Sequence, residues 1–403
     1  MSKAMDYVNE VYAKSYKEAW EAKEKGIPVG WASSVFPQEL VESFGLPLVY
    51  PENQAAGMAA KKEALRHIEA AEAEGYNIDL CAYARCNYGV LINGGSENLN
   101  MPEPDFLCVC NNICSELVKW YENIARERNI PFILIDTPFN NEDEVTKNRK
   151  EYFIDQFNYA ITQLEEISGK KFDPNKLSEV MDISRTNGRL WLESMQLSKD
   201  TYPSPFNGFD LFTYMAVIVC YRGKKETTRA FEMVIDELKE NAKKGESSFR
   251  GEEKYRIMME GIPCWPSIGF KMREMAKYGV NMTGSVYPYA WALTYEKDDL
   301  EGLALAYSTM FNNVNLGKMV DYRVKALEDG NCDGAFYHLN RSCKMMSLIQ
   351  PEMARQVYAK SGIPYAGFDG DQADDRAFSR AQFETRLQGL VEVMQSNKES
   401  QND

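Results

Sequence analysis

The 403-residue chain carries only two histidines, His67 and His338, so chemistry that depends on several imidazoles has little to work with. A Ser-His-Asp triad is disfavoured on that count, and no G-x-S-x-G elbow is present. Neither G-x-G-x-x-G nor G-x-x-x-x-G-K-[ST] occurs, which removes any motif-based expectation of a dinucleotide or ATP on this chain. No two cysteines form a C-x-x-C pair, excluding zinc ribbons and thioredoxin motifs. The longest apolar run, Leu211 to Cys220, is about half of what a bilayer span requires. The N-terminus lacks a basic start followed by an apolar stretch, so a cytoplasmic protein with reduced thiols is expected. A net charge of −14 argues against nucleic acid. Local cations that could meet a small polyphosphate, Arg222 with Lys224 and Lys225, or Arg250 with Lys254, read better as solvated loop charges.

What the chain does have is cysteine. Five of its nine lie between Cys81 and Cys114. Phe106 to Cys110 reads as a buried strand, Asn111 and Asn112 as cap residues, and Ile113, Leu117, Trp120, Tyr121 and Ile124 as one helix face. Cys114 then falls in the first turn of a helix, where free amides and the macrodipole favour a thiolate. The pattern recurs downstream: a strand at 334–338, a cap from Asn340 to Ser342, and a helix face of Met346, Ile349, Met353 and Val357, opened by Cys343. Cys81 follows Ile78, Asp79 and Leu80 and begins another helix. Open α/β sheets build their sites where strands end and helices begin. Three thiolates there could hold one soft metal centre and leave a position open for substrate.

Plainer readings stand beside that one. Each cysteine could be an ordinary core residue, and Cys86 rivals Cys81 as a ligand. Cys108, Cys110, Cys220, Cys264 and Cys332 are poorly placed as ligands. His338, at a strand end, either reaches the same site or bonds to backbone, and His67 is expected to be solvated. Ser34 and Glu52 each follow a short strand on the rim that carries Cys114, where a lone Glu is usually a turn residue. Asp369, Asp371, Asp374 and Asp375 do not match a calcium loop and read as a solvated turn.

Strands alternating with helices imply an α/β protein, with parallel sheets covered on both faces. The order of elements fits two Rossmann-like (flavodoxin-like) parallel-sheet domains with an N-terminal helix and a helical connector. The boundaries read as a helix at 1–26, a first α/β domain at 27–142, a connector at 143–205, a second α/β domain at 206–375 and a C-terminal helix at 376–403. A helix is expected over 56–74, closed off from the strand before it by Pro51, Glu52 and Asn53. Another strand is expected from Val280 to Val286.

The segments CAYARCNYG, NNICSELVKWYENIARE, FRGEEKYRIMMEGIPCWP, VNMTGSVYPYAWAL, DGAFYHLNRSCK and PYAGFDGDQAD span nearly the whole chain. Together they resemble the large (alpha) subunits of (R)-2-hydroxyacyl-CoA dehydratases. The resemblance implies a [4Fe–4S] cluster held by Cys81, Cys114 and Cys343, with one iron not ligated by cysteine. It also implies a smaller beta subunit with its own cluster and a separate ATP-dependent iron–sulfur activator. The chemistry implied is injection of one electron into the thioester, loss of the C2 hydroxide from a ketyl radical anion, deprotonation at C3, and return of the electron. Ser34 would hydrogen-bond the substrate oxygen at the open iron, and Glu52 would handle a proton of the leaving hydroxyl or of C3. 2-Hydroxyisocaproyl-CoA is the expected substrate, with aryllactyl (phenyllactyl) and lactoyl thioesters as alternatives. From another class, an electron-transfer or scaffold subunit of a related acyl-CoA reductase also fits.

Overall fold

The computed structural model describes residues 2–402. After α1 (Lys3–Glu24), the first half runs β1 (Gly30–Ala32), α2 (Gln38–Ser43), β2 (Leu48–Val49), α3 (Pro51–Ala60), α4 (Ala64–Ala73), α5 (Ala82–Ile92), β3 (Phe106–Cys110), α6 (Ser115–Arg128) and β4 (Phe132–Ile135). Two long helices, α7 (Lys147–Ser168) and α8 (Pro174–Asp200), lead to α9 (Asp210–Cys220) and α10 (Lys225–Lys244). The second half contains β5 (Tyr255–Glu260), α11 (Ile268–Lys277), β6 (Val280–Gly284), α12 (Val286–Tyr289), α13 (Leu300–Ser308) and α14 (Leu316–Asp329). It closes with β7 (Gly334–Asn340), α15 (Lys344–Ser361), β8 (Tyr365–Gly370) and α16 (Arg380–Asn402).

Every residue of β1, β3 and β6 is buried, the signature of strands covered by helices on both faces. Both sheets are parallel throughout and share one order, β2-β1-β3-β4 and β6-β5-β7-β8. The two Rossmann-like units are therefore topological copies, although no repeat is legible in their residues. In each sheet the chain turns first to one side and then to the other. A crevice thus opens beyond the ends of β1 and β3, and likewise of β5 and β7. The central strands of the first sheet lie so close that a side chain on Gly30 would sit 2.5 Å from the Phe106 ring.

One apolar core runs through both halves. The opening helix α1 packs on α9 and α10, with Lys14 paired to Glu226 and the Tyr221 hydroxyl bonded to Glu18. Arg222 is not a solvated loop charge. It is buried, donates from Nε to Glu39 at 3.0 Å and from Nη2 to the Tyr307 hydroxyl at 2.6 Å, and so joins α9 to α2 and α13. Burial pushes the Glu39 carboxyl up, but Arg222, Ser184 and Tyr307 outweigh it and leave it below its ordinary value. Among the described residues, no helix is long and apolar enough to cross a membrane.

The expected helix over 56–74 is two helices, and it begins earlier. Pro51 occupies the first turn of α3, where its missing N–H is no loss, and Lys62 at φ 66° separates α3 from α4. Glu52 is consequently a first-turn helix residue rather than a turn residue. The strand expected to reach Val286 ends at Gly284 and gives way to α12.

Candidate functional site

Cys81, Cys114 and Cys343 are the N-cap residues of α5, α6 and α15. All three line a single cavity of about 340 Å³. β3 delivers Cys114 to the crevice of the first sheet and β7 delivers Cys343 to that of the second, so the cavity lies where the two switch points meet. Asn111 and Asn112 do not cap α6. Asn111 accepts from the Thr137 amide at 2.6 Å and Asn112 donates to the Tyr307 carbonyl at 3.4 Å, which leaves the cap position to Cys114.

The caps are locked to one another. The Cys81 amide donates to Glu116 Oε1 at 2.5 Å, and the next amide, Ala82, donates to Ser342 Oγ at 3.0 Å. The first two amides before and within α5 are thereby held by a residue two positions after Cys114 and by the residue just before Cys343. The Ser342 amide in turn donates to Asp371 Oδ2 at 3.0 Å, and Gln372 Nε2 donates to the Cys81 sulfur at 3.0 Å.

Burial, not the helix ends, dominates the thiols. It pushes Cys114 up to about 12 and Cys343 up to about 11, and it drives Cys81 well above the ordinary thiol value. The amides of Ala84, Leu117 and Met346, each three residues past its cap, pull the other way without forming full cap hydrogen bonds. The helix amides favour the thiolates as expected, but burial outweighs them. Three half-buried soft sulfurs, with Cys343 raising both Cys81 and Cys114 and Cys114 raising Cys81, fit a cationic soft-metal centre, since coordination deprotonates a thiol outright. Among the described residues, no three His, Cys, Asp or Glu groups converge as they would on a single ion. A cubane cluster spreads its thiolates over separate irons.

On the same wall, Ser34 donates from its amide to Glu52 Oε2 and from Oγ to Oε1, both at 2.8 Å. Ser33 is tied into the sheet, its amide donating to the Cys108 carbonyl at 2.9 Å, which turns its neighbour toward the cavity. Burial raises the Glu52 carboxyl to about 7, against the pull of its bonds from Ser34 and of Tyr121. Ile113, Leu117, Trp120, Ile262, Tyr287 and Trp291 supply an apolar lining.

The remaining candidates lie elsewhere. Cys86 is fully buried within α5, its thiol pushed up to about 12. Cys108, Cys110, Cys220, Cys264 and Cys332 are buried as well, and none of these six lines the cavity. His338 bonds through Nδ1 to the Ile262 carbonyl at 2.6 Å and stacks on Phe368, and burial lowers it to about 3, so it stays neutral. His67 is buried rather than solvated: its Nδ1 meets Asn93 Nδ2 at 3.0 Å, and Gly89 packs against its backbone. The acidic stretch after β8 is not a solvated turn. Asp371 and Asp374 are buried, and Asp374 pairs with Arg85 at 3.2 Å. Sequence reasoning missed Glu116 and Gln372, whose one visible signal was proximity to Cys114 and to the end of a strand, and it read Ser342 within the cap of α15, whereas Cys343 holds that position and the Ser342 hydroxyl accepts from the Ala82 amide of α5.

A family model described as 2-hydroxyglutaryl-CoA dehydratase, D-component, matches residues 33–394. The chain is 68% identical over 391 residues to the (R)-2-hydroxyisocaproyl-CoA dehydratase alpha subunit of Clostridioides difficile, covering 97% of this chain and 96% of the relative. It is 48% identical over 399 residues to the (R)-phenyllactyl-CoA dehydratase alpha subunit of Clostridium sporogenes, covering 99% and 97%. Identity to the lactoyl-CoA dehydratase subunit alpha of Anaerotignum propionicum is 42% over 402 residues, covering 95% and 94%.

Proposed function

The chain belongs to the family of 2-hydroxyglutaryl-CoA dehydratase D-components, and from that premise we propose that it removes water from (R)-2-hydroxyisocaproyl-CoA to give the (E)-2-enoyl-CoA. It is a 2-hydroxyacyl-CoA dehydratase subunit, a hydro-lyase. The observation that carries the reading is the hydrogen-bonded Ser34–Glu52 pair sharing one cavity with three cysteine caps. Its higher identity to the isocaproyl relative than to the phenyllactyl and lactoyl ones supports a branched aliphatic acyl group, which the apolar lining suits. An electron-transfer or scaffold subunit of an acyl-CoA reductase would need no proton-handling pair beside its cysteines.

Cys81, Cys114 and Cys343 would hold a [4Fe–4S] cluster, which when bound supplies single electrons and a Lewis-acidic iron left without a cysteine ligand. Around it, the chain's own groups have separable tasks. The Ser34 hydroxyl, now donating to Glu52, can rotate to donate to the thioester carbonyl oxygen, where charge builds as the reaction proceeds. Glu52, protonated up to about pH 7, can pass its proton to the departing C2 hydroxyl and release water, and the carboxylate so formed can take the C3 proton, which restores the acid. The Ser34 amide keeps hold of Oε2 throughout, so the carboxyl does not swing away when the hydroxyl turns. The apolar side chains beside them lower the local dielectric, which sharpens both contacts.

The relatives' names mark them as alpha subunits, which supports a heteromeric enzyme. We assign this chain a smaller beta subunit with its own cluster, and an ATP-dependent iron–sulfur activator, in cytoplasmic amino-acid fermentation. Anaerobic assays with partner and activator should give the highest kcat/KM for 2-hydroxyisocaproyl-CoA among isocaproyl, phenyllactyl and lactoyl thioesters. Preference for phenyllactyl-CoA would overturn the substrate, and dehydration of none would overturn the reaction.

A further inference from the structure

Gln372 lies two residues past the end of β8, fully buried, on the wall of the cysteine cavity. Its two amide ends are committed in opposite directions. Oε1 accepts from the Asn340 Nδ2 amide at the end of β7, which leaves Nε2 to donate to the Cys81 sulfur at 3.0 Å. Its backbone carbonyl accepts from the Trp265 amide at 3.3 Å, so main chain and side chain are both anchored. Each contact specifies the same orientation of the amide. Rotating it by half a turn would set Oε1 against the sulfur and Nε2 against another donor.

A buried glutamine needs satisfied hydrogen bonds, and a structural role would be met by any acceptor for Nε2. Here the acceptor is a thiol sulfur, a weak partner while protonated and a strong one once it is a ligand thiolate. The contact therefore gains most of its strength when Cys81 is ionised by a bound centre. On an iron–sulfur cluster, a donor to a ligand sulfur favours the form carrying the extra electron, because added negative charge spreads onto the sulfurs. The donor also comes from the second sheet, whereas Cys81 belongs to the first half of the chain.

We propose that Gln372 is a positioning residue that tunes the cluster: its amide N–H donates to the Cys81 thiolate, raises the cluster's reduction potential and eases its loading with an electron. This rests on the cluster assignment made above.

The test uses the anaerobically prepared complex with its partner subunit, followed by redox titration with electron paramagnetic resonance detection. Any signal from the partner's side serves as an internal reference. Gln372→Met keeps the bulk but removes the donor, and Gln372→Leu removes it with a shorter side chain. Both should retain iron and sulfide at the wild-type level, with the potential shifted downward in each relative to wild type. An unchanged potential in a cluster-replete variant overturns the proposal, as does loss of the cluster from a folded one, which would make Gln372 a structural clamp. Should Gln372→Met not fold, Gln372→Leu carries the test alone. Wild-type protein without iron and sulfide would reject the cluster assignment itself, an outcome distinct from both.

Discussion

The Cys81 amide donates to the Glu116 carboxylate at 2.5 Å, so the cap of α5 is fastened to the first turn of α6. Spacing between Cys81 and Cys114 is thereby set by a side chain on neither residue. Glu116→Ala leaves that amide unpaired and should cost about 1–3 kcal/mol, along with part of the bound iron. Glu116→Gln keeps an acceptor and should retain both. Anaerobic urea unfolding with iron analysis checks this; an alanine variant as stable and as iron-rich as wild type would remove Glu116 from the spacing role.

Replacing Cys81, Cys114 or Cys343 with Ala should abolish iron and sulfide binding, which in wild type should reach about four of each per chain. Cys86→Ala, Cys108→Ala and Cys220→Ala should keep the cluster, because those thiols are buried away from the cavity. Their cost should be a small packing loss, on the order of 1 kcal/mol. Stoichiometric zinc in the wild-type protein, or a cluster lost from Cys86→Ala and kept in Cys81→Ala, would contradict the ligand set.

Ser34→Ala removes one hydroxyl donor and leaves the amide contact to Glu52 intact. Turnover should fall by roughly ten- to a thousandfold, the usual effect of losing one positioned donor, at unchanged iron content. Steady-state kinetics with the complete system measures it. A rate within twofold of wild type would place Ser34 in a purely structural role.

Glu52 carries a raised pKa of about 7 against an ordinary 4.5. Between those values the unfolded chain is ionised at this position and the native chain is not. The stability contributed is therefore full below pH 4.5, is lost as pH rises to about 7, and stays constant above that. Glu52→Gln, which cannot ionise, should flatten that part of the stability curve. As proton donor, Glu52 also predicts a wild-type kcat/KM that declines as pH climbs through about 7. Glu52→Gln should still bind acyl-CoA yet dehydrate it hardly at all; near-wild-type turnover would sink the assignment.

Local pattern alone determined most of the strands and helix faces. A run such as Phe106 to Cys110 has one stable solution, a parallel strand buried on both faces, and the helix after it follows from apolar spacing. The positions of Cys114 and Cys343 after strands were legible for the same reason, being consequences of chain order. Contacts between residues far apart in sequence were not. Ser34 and Glu52 pair across 18 residues and Gln372 reaches Cys81 across 291, and no periodicity records such distances. The acidic run after β8 looked solvated because its partners, Arg85 and the Ser342 amide, arrive from other elements. The thiol pKa values likewise follow from how deeply the cavity is buried: a helix end favours a thiolate by a local field, while desolvation is a property of everything packed around it.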